Sequence, residues 1–151
     1  MKRFTIVLLI LFLALLTACA SSAPQDTSSE TVPSLLITGG DTSKTYTRAD
    51  LEALAASQAA FKDVTYVGVR VSALLEDAGF TLDEVKAVKA IASDGYTVNY
   101  DPAQVLAADV IVAYARTDGD LAEEDGSFRM VLPGAEGKLN VRMLSELQVI
   151  K

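Results

Sequence analysis

The chain reads as an α+β domain in which many short strands are joined by turns and interrupted by three short helices. Three observations give that class. Apolar runs of strand length recur along residues 34–151, with Gly, Pro, Asp or Ser between them. Helical patterns are few and short, and they do not alternate with strands in the regular βαβ rhythm of a parallel sheet. One strong hairpin signal, Asp94-Gly95 between two apolar runs, marks an antiparallel pair.

The order begins with a segment outside that domain. Met1-Lys2-Arg3 is a short positive start, and Phe4 to Leu16 is almost unbroken apolar sequence. That run falls short of the about 20 residues a membrane span needs, but it suits a secretory core. It leads into Leu16-Thr17-Ala18-Cys19, which is similar to the bacterial lipobox: a large aliphatic residue, two small ones, then the modified cysteine. Residues 1–18 are therefore expected to be a lipoprotein signal peptide. Cys19 is expected to be the lipidated first residue of the mature chain, with diacylglycerol on sulfur and a further acyl chain such as palmitate on its amine. Several acyl chains make a stable anchor where one would be marginal. The expected location is the cell envelope, anchored to the membrane on its extracytoplasmic side. Residues 19–33 are small, polar and punctuated by proline, the composition of a flexible tether.

The domain then runs over residues 34–151. Leu35-Leu36-Ile37 is a short strand ending at Gly39-Gly40, and Lys44-Thr45-Tyr46 returns beside it. Thr47 can cap a helix whose apolar stripe is Leu51, Leu54 and Ala55. Val64 to Val69 has strand composition broken by Gly68, and Ser72 to Ala78 reads as a helix closed by Gly79. Val85 to Ser93 and Tyr96 to Tyr100 form the hairpin around Asp94-Gly95, with positive φ expected at both turn residues. Asp101 caps a third helix that has Pro102 at its first position. Asp109 to Arg116 is a buried strand, Thr117 to Ser127 an acidic, turn-rich stretch, and Phe128 to Leu132 another strand. Pro133-Gly134 turns the chain, and Leu147 to Ile150 closes it.

Composition removes many function classes. The formal charge is −7, and it becomes −9 when Lys2 and Arg3 leave with the leader. So acidic a chain, with no basic run, repels nucleic acid, and no nucleic-acid partner is expected. Histidine is absent and Cys19 is the only cysteine. Histidine-based triads, His/Cys zinc sites and internal disulfides are thereby excluded.

From Val67 onward the motifs come in a telling order. Gly68-Val69-Arg70-Val71-Ser72-Ala73-Leu74-Leu75 is followed by Ala78-Gly79, Ser93-Asp94-Gly95-Tyr96 and Ala113-Tyr114. Then come Asp118-Gly119-Asp120-Leu121 and Arg129-Met130-Val131-Leu132-Pro133-Gly134. In this order they resemble the molybdopterin-binding domain of the sulfite oxidase family. The resemblance implies a compact, mostly β fold with mixed sheets. It also implies a molybdenum-ligating cysteine in a loop ahead of the Gly-Val motif, where this chain has Ala59 to Tyr66 and no thiol. The soft metal relies on that thiolate. Sulfite oxidation is therefore not expected, no metal site is expected, and molybdopterin enters only through the resemblance. The expected role is a non-catalytic, membrane-tethered domain that binds a small molecule or an envelope protein. The alternative is an oxidoreductase-like protein or redox-chain component that binds a cofactor without cysteine ligation.

The candidate ligand-binding residues are Asp94, Tyr96, Arg116, Arg129, Lys138 and Arg142. The resemblance puts Asp94 and Tyr96 near the cofactor pocket, though a plain hairpin turn also accounts for them. Lys138 and Arg142 keep the charge type of the family's lysine near the cofactor phosphate. Arg116 and Arg129 suit a carboxylate or phosphate, or else the acidic stretch between them, which holds Asp118, Asp120, Glu123, Glu124 and Asp125. Those acids do not follow the spacing of an EF-hand calcium loop. The tyrosines at 46, 66, 96, 100 and 114 fall on expected strands or their ends, as half-buried sheet residues do.

Overall fold

A computed structural model describes residues 32–151. Cys19, the signal peptide and most of the tether lie outside the described residues. The domain has ten strands and three short α-helices in two five-stranded sheets, an α+β architecture.

The first sheet takes the order β2-β1-β10-β5-β6. Its strands are β1 (Ser34–Gly39), β2 (Thr42–Thr47), β5 (Ala87–Ala92), β6 (Thr97–Tyr100) and β10 (Leu144–Ile150). Strand β10 pairs parallel with β1 and antiparallel with β5, so the sheet is mixed. The second sheet is antiparallel and runs β3 (Ala56–Phe61), β4 (Val64–Arg70), β7 (Ile111–Arg116) and β8 (Gly119–Asp120), with β9 (Arg129–Val131) also on β7.

Period-2 alternation fixes which face of each strand is buried. Leu35 and Ile37 of β1, Val88 and Ala90 of β5, and Leu147 and Val149 of β10 point inward. They join Val69, Val112 and Met130 of the second sheet in the main core. A smaller cluster of Ala59, Tyr66, Ile111, Ala113 and Val131 lies on the opposite face of the second sheet, flanked by Phe61, Val64 and Leu121. That face carries the site.

Helix α1 (Arg48–Glu52) opens with a capping box: Asp50 N donates to the Thr47 hydroxyl, and Thr47 N donates to the Asp50 carboxylate. It ends at Glu52, so Ala55 is exposed coil and not part of the expected stripe, whose Leu51 alone is fully buried. Helix α2 (Val71–Asp77) buries Val71, Leu74 and Leu75. It closes in a Schellman pair, Phe80 N to Leu75 O and Gly79 N to Glu76 O. Helix α3 (Pro102–Val105) starts as expected, with the Asp101 carboxylate accepting from Gln104 N at 2.8 Å.

Four expectations change. The stretch Ala59 to Tyr66, which the resemblance sets against a loop of the family's enzymes, is a hairpin: β3 and β4 pair in continuous register, and only Lys62-Asp63 turns between them. The hairpin around Asp94-Gly95 is shorter than expected and has positive φ at Gly95 alone (90°). Gly95 N donates to Ala92 O and Ala92 N donates to Tyr96 O, so the loop is a type I turn followed by a left-handed glycine. Tyr96 consequently sits in the turn and not on the strand. The last strand starts at Leu144, three residues early, across a register shift between Leu144 and Glu146.

Gly68 does more than interrupt β4. Between Val67 and Gly68 the β4–β7 register shifts, so that Val67 pairs with Ala115 and Gly68 with Ala113. A β-carbon on Gly68 would stand 2.0 Å from the Val112 carbonyl oxygen, so only glycine allows this close approach. The bulge leaves Arg116 opposite Tyr66 at the edge of the small cluster.

Candidate functional site

Two adjoining clefts open on this side of the domain. The first has a volume of about 410 Å³ and is bordered by Phe61, Lys62, Tyr66, Arg116, Asp125 and Arg129, among others. The second, of about 400 Å³, is bordered by Asp94, Tyr96 and Lys138. Gly137, Asn140 and Arg142 border both. All six candidate residues of the domain therefore line one or other of two neighbouring clefts: Arg116 and Arg129 the first, Asp94, Tyr96 and Lys138 the second, and Arg142 both.

The walls are set by local structure. Phe61 and Lys62 are delivered by the tight β3–β4 turn, in which Lys62 takes φ 54°, an uncommon conformation for a lysine. Asn140 braces the segment beyond Pro133-Gly134: its side chain accepts from Leu132 N at 2.8 Å and donates to Glu136 O at 3.1 Å. Met143 also has positive φ, 51°. Its N–H donates to Asp125 O and its carbonyl accepts from Ser93 N, which ties the acidic turn to the 93–96 turn beside Arg142. Tyr96 adds a hydrogen bond from its hydroxyl to Lys138 O at 2.9 Å.

At the floor of the first cleft lies the most buried charge of the domain. Arg129 and Asp125 are each 4% exposed. Arg129 Nη1 donates to Asp125 Oδ1 at 2.6 Å and to the Tyr66 hydroxyl at 2.7 Å. The guanidinium also lies 4.5 Å from the Tyr66 ring centre and 5.8 Å from that of Phe61. Burial raises the Tyr66 phenol above its usual range even with the Arg129 cation beside it.

The acidic stretch is largely consumed by arginines. Asp118 grips Arg116 with both oxygens, Asp120 holds Arg48, and Asp125 holds Arg129. Arg116 and Arg129 thus pair with this stretch, and both side chains also border the cleft. Lys138 is paired with Glu136. Among the described residues, Lys62 and Arg142 have no carboxylate partner, so the cleft of an acidic protein holds two unmatched cations. No group of three or more His, Cys, Asp or Glu among the described residues is placed to hold a metal ion.

Phe61, Lys62, Tyr66 and Asn140 were not among the expected site residues. Tyr66 carried a usable signal, since it precedes the Gly68 bulge on a strand facing Arg116, but as one of five strand tyrosines it looked like ordinary sheet packing. The other three depend on the β3–β4 turn and on the 136–140 segment.

A family model described as "Oxidoreductase molybdopterin binding domain" matches residues 24–151. No curated protein matches the chain. Among solved structures, the sulfane dehydrogenase SoxCD from Paracoccus pantotrophus is similar in fold, with a TM-score of 0.67 and 23% identity. The likeness covers 78% of this chain and 38% of that one, so the chain spans well under half of its solved relative.

Proposed function

This chain belongs to the oxidoreductase molybdopterin-binding domain family, and on that premise we propose that it holds a small organic anion of the pterin-phosphate class without a metal–cysteine bond. It does so as a lipid-anchored domain on the extracytoplasmic side of a membrane, with Cys19 as the anchor point. A thiolate-bound molybdenum does not fit the residues present. Residues 20–151 contain no cysteine, and the stretch that the resemblance sets against the family's ligand loop is a tight hairpin turning at Lys62-Asp63. Molybdenum oxidation is accordingly no part of the proposed role.

An organic anion fits better. The observation that carries this reading is the pair of unmatched cations, Lys62 and Arg142, above a buried arginine in one cleft. Arg142 borders both clefts, where it can hold an anionic group between them. Phe61 and Tyr66 offer ring faces beside the cations, against which a flat heterocycle can stack. A pterin held this way would bring a redox-active ring, while the chain's own residues bind and orient it. That is the role of a redox-chain component or cofactor-binding protein.

Titrating the full chain with a synthetic pterin monophosphate, followed by pterin fluorescence, tests this. Saturable one-to-one binding is expected, and Arg142→Ala should weaken it about tenfold, the worth of one charge-assisted hydrogen bond. Absence of saturable binding overturns the reading.

A further inference from the structure

We propose that the floor of the first cleft selects an oxyanion that still carries a proton, a hydrogen phosphate or a singly protonated phosphate monoester, in preference to a sulfate. The proposal rests on the anion-binding reading above and specifies its ligand.

Every fully buried polar side-chain atom among the described residues has a hydrogen-bond partner. Arg129 spends Nη1 on Asp125 and Tyr66 and turns Nε toward Met130 O at 3.5 Å, while Nη2 has no partner among the described residues. Nη2 therefore keeps a sliver of access, and the open space bordered by Arg129 is this cleft. The same reasoning applies to Asp125: Oδ1 accepts from Arg129, Oδ2 has no partner among the described residues, and the residue borders the same space. The Tyr66 oxygen accepts from Arg129, which leaves the phenol proton to be donated. The floor thus presents two donors, Arg129 Nη2 and the Tyr66 hydroxyl, beside one anionic acceptor, Asp125 Oδ2. Tyr66 is 5% exposed and the other two residues 4%, so all three groups act where water screens poorly.

This mixed pattern discriminates by protons. Sulfate near neutral pH has acceptors only, and it would set a charged oxygen against Asp125 Oδ2. A hydrogen phosphate or a monoester carrying one proton can donate that proton to Oδ2 while its other oxygens accept from Arg129 and Tyr66. Lys62 and Arg142 attract either anion, so they supply affinity without choosing between them. Specificity of this kind comes from the clash with the wrong ligand as much as from contacts with the right one.

Isothermal titration of the full chain with inorganic phosphate and with sulfate, at equal pH and ionic strength, tests the proposal. Phosphate should bind at least about tenfold more tightly, the cost of one unmatched charged contact. Tyr66→Phe should weaken phosphate several-fold, and Asp125→Asn should shrink the preference. Should Asp125→Asn fail to fold, methyl phosphate on the unaltered chain serves instead. Its last proton leaves near pH 6, so its affinity should fall between pH 5 and 8, whereas that of inorganic phosphate, protonated throughout, should hold. Equal affinities for phosphate and sulfate, both weakened by Arg142→Ala, would overturn the proton selection and leave the anion cleft standing. Binding of neither anion would overturn the selection as well, and the pterin titration then decides the cleft reading separately.

Discussion

Arg129 shows how much one residue carries in this domain. A guanidinium with 4% exposure is stable only because Asp125, Tyr66 and two aromatic faces replace its water. Arg129→Ala strands the Asp125 carboxylate, and a loss of about 3–5 kcal/mol is expected in chemical denaturation. Arg142 is the contrast. It is exposed and unpaired among the described residues, so Arg142→Ala should change stability by no more than about 0.5 kcal/mol. A ligand-site role for Arg142 predicts lost binding in a normally stable variant. Several exposed acids set the acid limit of the fold. Hydrogen bonds from Lys44 and Tyr46 hold the Asp77 carboxyl below its ordinary value, and the Thr47 cap does the same for Asp50. Arg116 lowers Asp118 and Lys138 lowers Glu136. Depressed carboxylates contribute stability above their unfolded values of about 4 and lose it as pH falls through the folded ones. The melting temperature should therefore stay level from pH 7 to 5 and drop below about pH 4. Asp77→Asn should flatten that drop while lowering the plateau.

At the scale of elements, the strands with alternating or continuous Val, Ile and Leu were legible, and so were the Thr47 and Asp101 caps. Strand β3 was not. Ala-Ser-Gln-Ala-Ala has little intrinsic strand preference, and it becomes a strand by pairing with β4 across a turn that lacks Gly or Asn. The same hidden turn kept Phe61 and Lys62 out of the expected site, although six of its other members were named from charge and motif. Asp125 meets Arg129 through a single 3-10 turn over Glu123–Asp125 that no periodicity announces. Gly68 ties fold and site together, because its bulge aligns Arg116 with Tyr66. Gly68→Ala should cost about 2–3 kcal/mol, since the new methyl meets backbone and not a movable side chain. Denaturant midpoints would register it, and a neutral effect would mean that β4 and β7 can part without penalty.

For the whole molecule, family membership and departure from the family's chemistry coexist. The family model matches residues 24–151, and the domain has two sheets with clefts beside the second, while residues 34–151 hold no cysteine and the chain no histidine. No helix among the described residues is long and apolar enough to cross a membrane. The proposed envelope location thus rests on Cys19, and Cys19→Ala should move the protein from the detergent-extracted membrane fraction to the secreted or soluble one. A variant that stays membrane-bound would remove lipidation from the account. The central proposal is that this member of a molybdopterin-binding domain family holds an organic anion in its cleft, and does so without molybdenum. Native mass spectrometry with elemental analysis, on the protein purified from its native cells, reads that directly. The account predicts one organic anion per chain and no stoichiometric molybdenum. One molybdenum atom per chain would contradict it.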